Sequence, residues 1–270
     1  MDIALALLIN FAVALGLLLI VWLVCLALRD ATIVDAFWAF GHIAVAIASF
    51  VQATEGYEPR KLLILGLCVL WGLRLGGYML WRWRAHGPDR RYASLIGKAG
   101  RDRGWGFAKA SLLLVFLTQA PVLWLSSLPA QLGQFAATPA ALGPLAWIGA
   151  AVALFGLAYE SMADFQMQRF RARPDARDRV MNEGLWRYCR HPNYFGEALV
   201  WIGVFLVGAE TLPGWFALPG VLFLIWTLNK WSGAATLEPR LTRTRAGYAD
   251  YVATTNRFIP WPPRKAAAHG

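Results

Sequence analysis

Between positions 184 and 197 the chain reads GLWRYCRHPNYFGE. Arg187, Tyr188, Arg190, His191, Asn193, Tyr194 and Glu197 crowd into this stretch, where a basic loop gives way to an apolar segment. So many polar groups at a membrane boundary are costly to bury unless something polar fills them. Guanidinium forks and ammonium groups are the usual partners of phosphate, so an anionic cofactor would meet that demand. Upstream, Glu160, Asp164 and Arg171 recur at spacings of four and seven, which sets a polar stripe on one helix face. The two carboxylates are like charges one turn apart. Sugar hydroxyls, an amide or a nearby arginine would compensate them.

Ionisable residues inside apolar spans are functional candidates by default. Asp35 precedes His42 by seven residues, two helical turns on a shared face. Two readings of Asp35 stay open: a functional acid, or a helix N-cap aided by Thr32. His42 alone reads as a hydrogen-bonded core residue. Arg74 lies four residues before Tyr78. A buried arginine keeps its charge and needs an acid or an anionic ligand, here either Glu160 or Asp164 or a bound molecule. Of Cys25, Cys68 and Cys189, only the last lies in an electropositive loop, the setting that activates a thiol. An odd count with wide spacing gives no disulfide frame. The chain has no Walker loop, no GxGxxG after a strand, no HExxH and no CxxC, and its histidines show no metal-ligand spacing. A dinucleotide would be held by helices and loops.

The elements that must position these groups are membrane helices. Of 270 residues 58% are hydrophobic, and the mean hydropathy is +0.45. Seven spans are expected at 3–28, 33–51, 62–81, 107–128, 142–164, 194–207 and 215–230, the sixth short for a full crossing. Together they predict an all-α, polytopic integral membrane bundle forming one domain over 1–265, with a frayed tail at 266–270. The net charge of +10 invites a nucleic-acid reading, but its placement argues otherwise. Lysine and arginine concentrate at 82–109, 169–190 and from 230 onward, on alternate connections, while the loop at 129–141 carries no charge. That asymmetry puts the N-terminus outside and the C-terminus in the cytoplasm. The basic loops also suit anionic lipid heads or a phosphorylated ligand. At 257–263, RFIPWPP combines aromatics with prolines, as an interfacial cap that ends helix would.

With stripe and loop both in view, the chain resembles the membrane steroid 5-alpha-reductase superfamily, and within it the bacterial branch. The segments SMADFQMQRFRA, GLWRYCRHPNYFGE and RAGYADYVATTNRFIPWPP carry the likeness over nearly the whole chain. The middle segment is shared with sterol reductases and isoprenylcysteine methyltransferases. The resemblance implies a seven-helix bundle in a bacterial inner membrane, taking NADPH from the cytoplasmic side. By position it implies cofactor contacts at Asp164, Arg171, Asn193 and Glu197, with Tyr188, Arg190 and His191 beside them. Glu160 stands where some members have an amide, and Glu238 and Tyr251 occupy similar polar positions near the end. The steroid reductases bind the enone carbonyl with an early acid and a later tyrosine. Asp35 can stand for the acid. Trp71 takes the tyrosine's place and cannot protonate a developing enolate, which leaves Tyr78 or Tyr92 to do so.

The expected activity is NADPH-dependent reduction of a conjugated carbon–carbon double bond in a hydrophobic lipid, a steroid-like or prenoid enone. Hydride would reach the beta carbon while Asp35, Tyr78 or Tyr92 stabilises the enolate. Arg171, Arg190 and Arg91 would clamp phosphates, and Arg74 would reach the ligand. Two alternatives stand beside it: an S-adenosylmethionine-dependent lipid methyltransferase, and a non-catalytic lipid-binding membrane protein.

Overall fold

The computed structural model describes residues 2–176, 178–231 and 234–264, which are helical with no strand among them. The expected tail at 266–270 lies outside the described residues. Helix α1 covers Ile3–Leu28, α2 Val34–Gln52, α3 Glu58–His86 and α4 Arg90–Arg103. Helix α5 covers Phe107–Ser126 with a π-helical stretch at Leu112–Phe116, and α6 is Leu128–Leu132. Then come α7 at Pro144–Arg171, α8 at Pro192–Gly208 and α9 at Leu212–Trp231, followed by α10 at Ala234–Thr244 and α11 at Tyr248–Thr254.

Local chemistry sets the ends. Asp2 caps α1 by accepting from the Ala4 amide at 3.3 Å, and Asp89 caps α4 by accepting from Arg91 N at 2.8 Å. Gly104 ends α4 at φ 66°, a left-handed conformation natural to glycine. Among the described residues six helices, α1, α2, α3, α5, α7 and α9, are long and apolar enough to cross a membrane. The protein is therefore a helical membrane protein. The expected sixth span corresponds to α8, which at 17 residues falls below that length. Helix α3 runs past both ends of its expected span, to 58 and 86. Two stretches expected as loops are helical: the basic 90–103 and the start of the uncharged 129–141. The first has an amphipathic pattern masked by its arginines. The second is short enough to leave no periodic signal.

The chain falls into two compact units. One comprises Met1–Ala150 with Val204–Gly220, the other Ala151–Gly203 with Val221–Gly270.

In the first unit α2 packs closely on α3 and α5. A Cβ at Gly72 would lie 2.5 Å from Ile43 Cγ1 and 3.0 Å from Ala39 O, and one at Gly76 2.4 Å from the Phe40 ring. These two glycines form the small-xxx-small pattern that lets membrane helices approach. Gly41 does the same for Leu123 of α5, at 2.3 Å. Amides knit the far end of this unit. Asn10 Nδ2 donates to Ser49 Oγ at 2.8 Å and to Gln131 Oε1 at 3.1 Å, all within side chains shut off from solvent.

In the second unit α7 and α8 cross at glycine. A Cβ at Gly156 would lie 2.6 Å from Gly196 O, and one at Gly196 2.6 Å from Glu160 N. Asp164, two turns further along α7, meets Asn193, one turn back along α8 from Gly196.

Candidate functional site

In the first unit Asp35 stands in the first turn of α2, two residues after Ile33, which holds the cap position without a side-chain bond. The N-cap reading of Asp35 is thereby set aside. The carboxylate instead faces α4. Tyr92 Oη donates to Oδ1 at 2.5 Å, Arg91 Nη2 donates to Oδ2 at 3.2 Å, and Arg82 Nη2 lies 3.6 Å from the same oxygen. Asp89 binds Arg91 from the other side, accepting from Nη2 at 2.9 Å and from Nε at 3.1 Å.

The turn between α1 and α2 fixes this arrangement. Asp30 accepts from Trp83 Nε1 at 2.7 Å and from Thr32 Oγ1 at 2.6 Å, and Thr32 Oγ1 accepts from Asp89 N at 2.8 Å. One polar chain thus pins the start of α2 to the end of α3 and the cap of α4. Tyr92 packs against a core that includes Leu18, Val21, Val34 and Phe116. Burial, and next the Asp35 charge, push its phenol well above the ordinary 10.0, so Tyr92 keeps its proton. Arg91 stays charged, its pKa pulled up by Asp89 and Asp35 against the effect of burial.

Of the three expected catalytic residues, Asp35 and Tyr92 are therefore brought together. Tyr78 is placed with Arg74, whose guanidinium lies 5.7 Å over its ring, and with Trp81, stacked at 6.1 Å. Arg91, expected to hold phosphate, has two carboxylates as partners. Trp71 is wholly buried against His42, ring centres 5.3 Å apart. His42 is the core residue expected, with Nδ1 3.0 Å from Trp38 O and Nε2 2.9 Å from Ser126 Oγ. Arg82 and Asp89 escaped the sequence reading. An aspartate directly before two arginines is the cap signal that could have found the second.

In the second unit Asn193 Nδ2 donates to Asp164 Oδ1 at 3.3 Å, joining α7 to α8. Asp164, Glu160 and Glu197 are buried, whereas Arg171, two turns along α7 from Asp164, is exposed. Tyr188 is exposed as well.

Arg190, His191 and Glu238 form a compact group of their own. Arg190 Nε donates to Glu238 Oε1 at 2.8 Å, and His191 Nε2 lies 3.0 Å from the same oxygen. Arg257 Nε is 3.3 Å from Oε2, close enough for attraction though off the line of a hydrogen bond. Arg190 Nη1 also donates to Thr255 O at 2.6 Å and Val252 O at 2.9 Å. Burial pushes the Glu238 carboxyl up, but hydrogen bonds from His191 and Arg190 and the arginine charge outweigh it, leaving about 2. Burial holds His191 below its ordinary value, against the pull of Glu238.

Tyr251 donates to Trp186 O, and Trp186 Nε1 to Ala163 O at 2.9 Å, so this tyrosine ties the loop to α11. Cys189 corrects the activated-thiol reading. It is fully buried, its Sγ donates to Phe258 O at 2.9 Å, and burial pushes the thiol up to about 12. A charged loop at the level of sequence is, around this sulfur, a dry interior.

A family model described as "Protein of unknown function (DUF1295)" matches residues 21–255. An uncharacterized protein of Schizosaccharomyces pombe is 25% identical over 89% of this chain and 76% of its own length. No solved structure matches.

Proposed function

From the premise that the chain belongs to the DUF1295 family, which lies in the steroid 5-alpha-reductase-like group, we propose that it reduces a conjugated double bond in a hydrophobic lipid with NADPH. One observation carries this reading: a protonated tyrosine hydrogen-bonded at 2.5 Å to an acid on an early membrane helix, with two arginines beside it. An acid and a tyrosine are the pair that an enone carbonyl needs. Tyr92 supplies the hydroxyl from α4, one helix after the place where the group's pattern has a tyrosine and this chain has Trp71.

The residues of the second unit suit a dinucleotide. Asp164 beside Asn193 offers an acceptor and an amide to ribose or carboxamide groups, and exposed Arg171 suits phosphate. Arg190 contributes by holding the loop at 188–193 in shape through Glu238. When bound, the nicotinamide would supply the hydride, and the chain's own groups do the rest. Asp35 and Tyr92 share one acidic proton. Turning the Tyr92 hydroxyl toward the carbonyl oxygen presents a donor where negative charge develops. Arg82 and Arg91 balance the Asp35 carboxylate, which stays ionised when the tyrosine hydroxyl turns away. The loop charges support an N-terminus outside and a cofactor side in the cytoplasm, and the resemblance supports a bacterial inner membrane.

The engagement of Arg190 and His191 with Glu238 favours a second reading, methyl transfer from S-adenosylmethionine, which needs no phosphate partner. Titrating the detergent-purified protein with each cofactor while following thermal stability separates the two. A rise with NADPH that Arg171→Ala removes, together with enone-dependent loss of reduced nicotinamide absorbance, supports reduction. A rise with S-adenosylmethionine alone would move the assignment to methyl transfer.

A further inference from the structure

Trp38 follows Asp35 by three residues on α2, so the two side chains are neighbours on one helix face, about 4.5 Å apart along the axis. The indole is packed against Ala14, Val45 and Leu123 and stands edge-on to His42, ring centres 4.4 Å apart. Its Nε1 is shut off from solvent and has no hydrogen-bond partner. An indole N–H can only donate. A donor left unmet at membrane depth is destabilising, and most buried tryptophans avoid it. The nearest aromatic partner besides His42 is Trp71, edge-on at 6.2 Å, and a ring face is a weak acceptor.

We propose that Trp38 is a specificity-determining donor that receives a second oxygen of the lipid substrate, a ring's width from the carbonyl bound at Asp35 and Tyr92. This rests on the reading of the Asp35–Tyr92 pair as a carbonyl site. The substrate class narrows accordingly, to an enone lipid bearing a further carbonyl or hydroxyl close to the first. A singly oxygenated lipid would leave the indole N–H unmet, and discrimination of that kind follows from polar groups built to be paired.

The test uses the full chain in detergent and two sterols of matched skeleton. One is a sterol enone with a single ring carbonyl, the other the enedione with a second carbonyl on the adjoining ring. Binding is read from ligand-dependent thermal stability without cofactor, and turnover from NADPH oxidation. The enedione should bind the wild-type protein about tenfold more tightly, the worth of one good neutral hydrogen bond. Trp38→Phe should erase that preference by weakening the enedione alone.

Equal binding of both sterols, a preference that survives Trp38→Phe, or no binding of either would overturn the proposal. If the variant fails to fold, the wild-type comparison still decides, since equal affinities refute it without any substitution. A preference lost in the variant, with no NADPH oxidation by either sterol, would sink the reductase assignment and leave the donor site standing. Turnover of both sterols with equal efficiency and equal affinity would do the reverse.

Discussion

Tyr92 donates to Asp35 at 2.5 Å across 57 residues of sequence, and both sit beside the guanidinium groups of Arg82 and Arg91. The bond joins the first turn of one membrane helix to a basic helix after the next. Neither residue would be placed there by its own helix. The polar chain through Asp30, Thr32, Trp83 and Asp89 brings them together.

Removing either member should cost catalysis far more than stability. Tyr92→Phe should lower enone turnover about a hundredfold to a thousandfold, the usual loss for one donor to a developing oxyanion. Asp35→Asn should fall in the same range, and the double variant should be no worse than the poorer single one, because the two act as a unit. Steady-state rates of all three, with melting temperatures beside them, check this. Full activity of Tyr92→Phe would remove the tyrosine from the mechanism.

The Glu238 cluster predicts acid sensitivity of defined sign. Its carboxyl sits at about 2 against an ordinary 4.5, so its contribution is complete above 4.5 and is lost as pH falls toward 2. His191, held below 6.5 by burial, acts in the same direction, since the unfolded chain takes up its proton first as pH falls. Melting temperature should therefore decline on acidification from neutrality. In Glu238→Gln the part of that decline below pH 4.5 should shrink, from a lower starting stability. An unchanged profile in the variant would show that this cluster does not govern the transition.

The glycine approach of α3 to α2 can be tested against an internal control. Gly72→Ala forces a Cβ to within 2.5 Å of Ile43 and 3.0 Å of a backbone oxygen, whereas Gly77→Ala meets nothing within 4 Å. Overpacking of that kind costs about 1–3 kcal/mol. Thermal unfolding should show a marked drop for the first and none for the second. Equal behaviour of the two would mean that α2 can shift to accommodate the methyl.

Arg60 and Glu210 make a second buried charge pair at 3.9 Å, with side chains 1% and 7% exposed. Arg60 also donates to Pro139 O at 2.6 Å and to Ala136 O at 3.2 Å, and Glu210 accepts from Ala146 N at 3.1 Å. Arg60→Met leaves the carboxylate uncompensated and should cost about 3–5 kcal/mol. Adding Glu210→Gln to that variant should recover part of the loss, which the melting temperatures of the single and double variants will show.

Much of the molecule could be read from the chain alone. Runs of some twenty apolar residues fixed the helical membrane class, because no other backbone arrangement in those runs satisfies its own polar groups in lipid. The asymmetry of arginine and lysine gave an orientation to test. Asp164, Asn193 and Arg190 were marked out as polar residues bordering apolar helices, Glu238 by the family resemblance, and each is engaged in a specific bond.

What the chain could not show is which of these polar groups face one another. Tyr78 and Tyr92 were equal candidates by sequence, and only folding puts the second on Asp35. Arg190 looked like a phosphate ligand, and the fold turns it onto Glu238 and two carbonyls. Cys189 stood in an electropositive loop, and packing buries it. Trp38 looked like any packing tryptophan until its N–H was seen to lack a partner. Hydrophobic periodicity is a property of each segment and survives in the sequence. The pairing of charges depends on how distant segments meet, through glycine contacts and loop hydrogen bonds that have no period to read. The sequence therefore determined the membrane-helix class and the inventory of reactive groups, and the tertiary structure alone decided their partners.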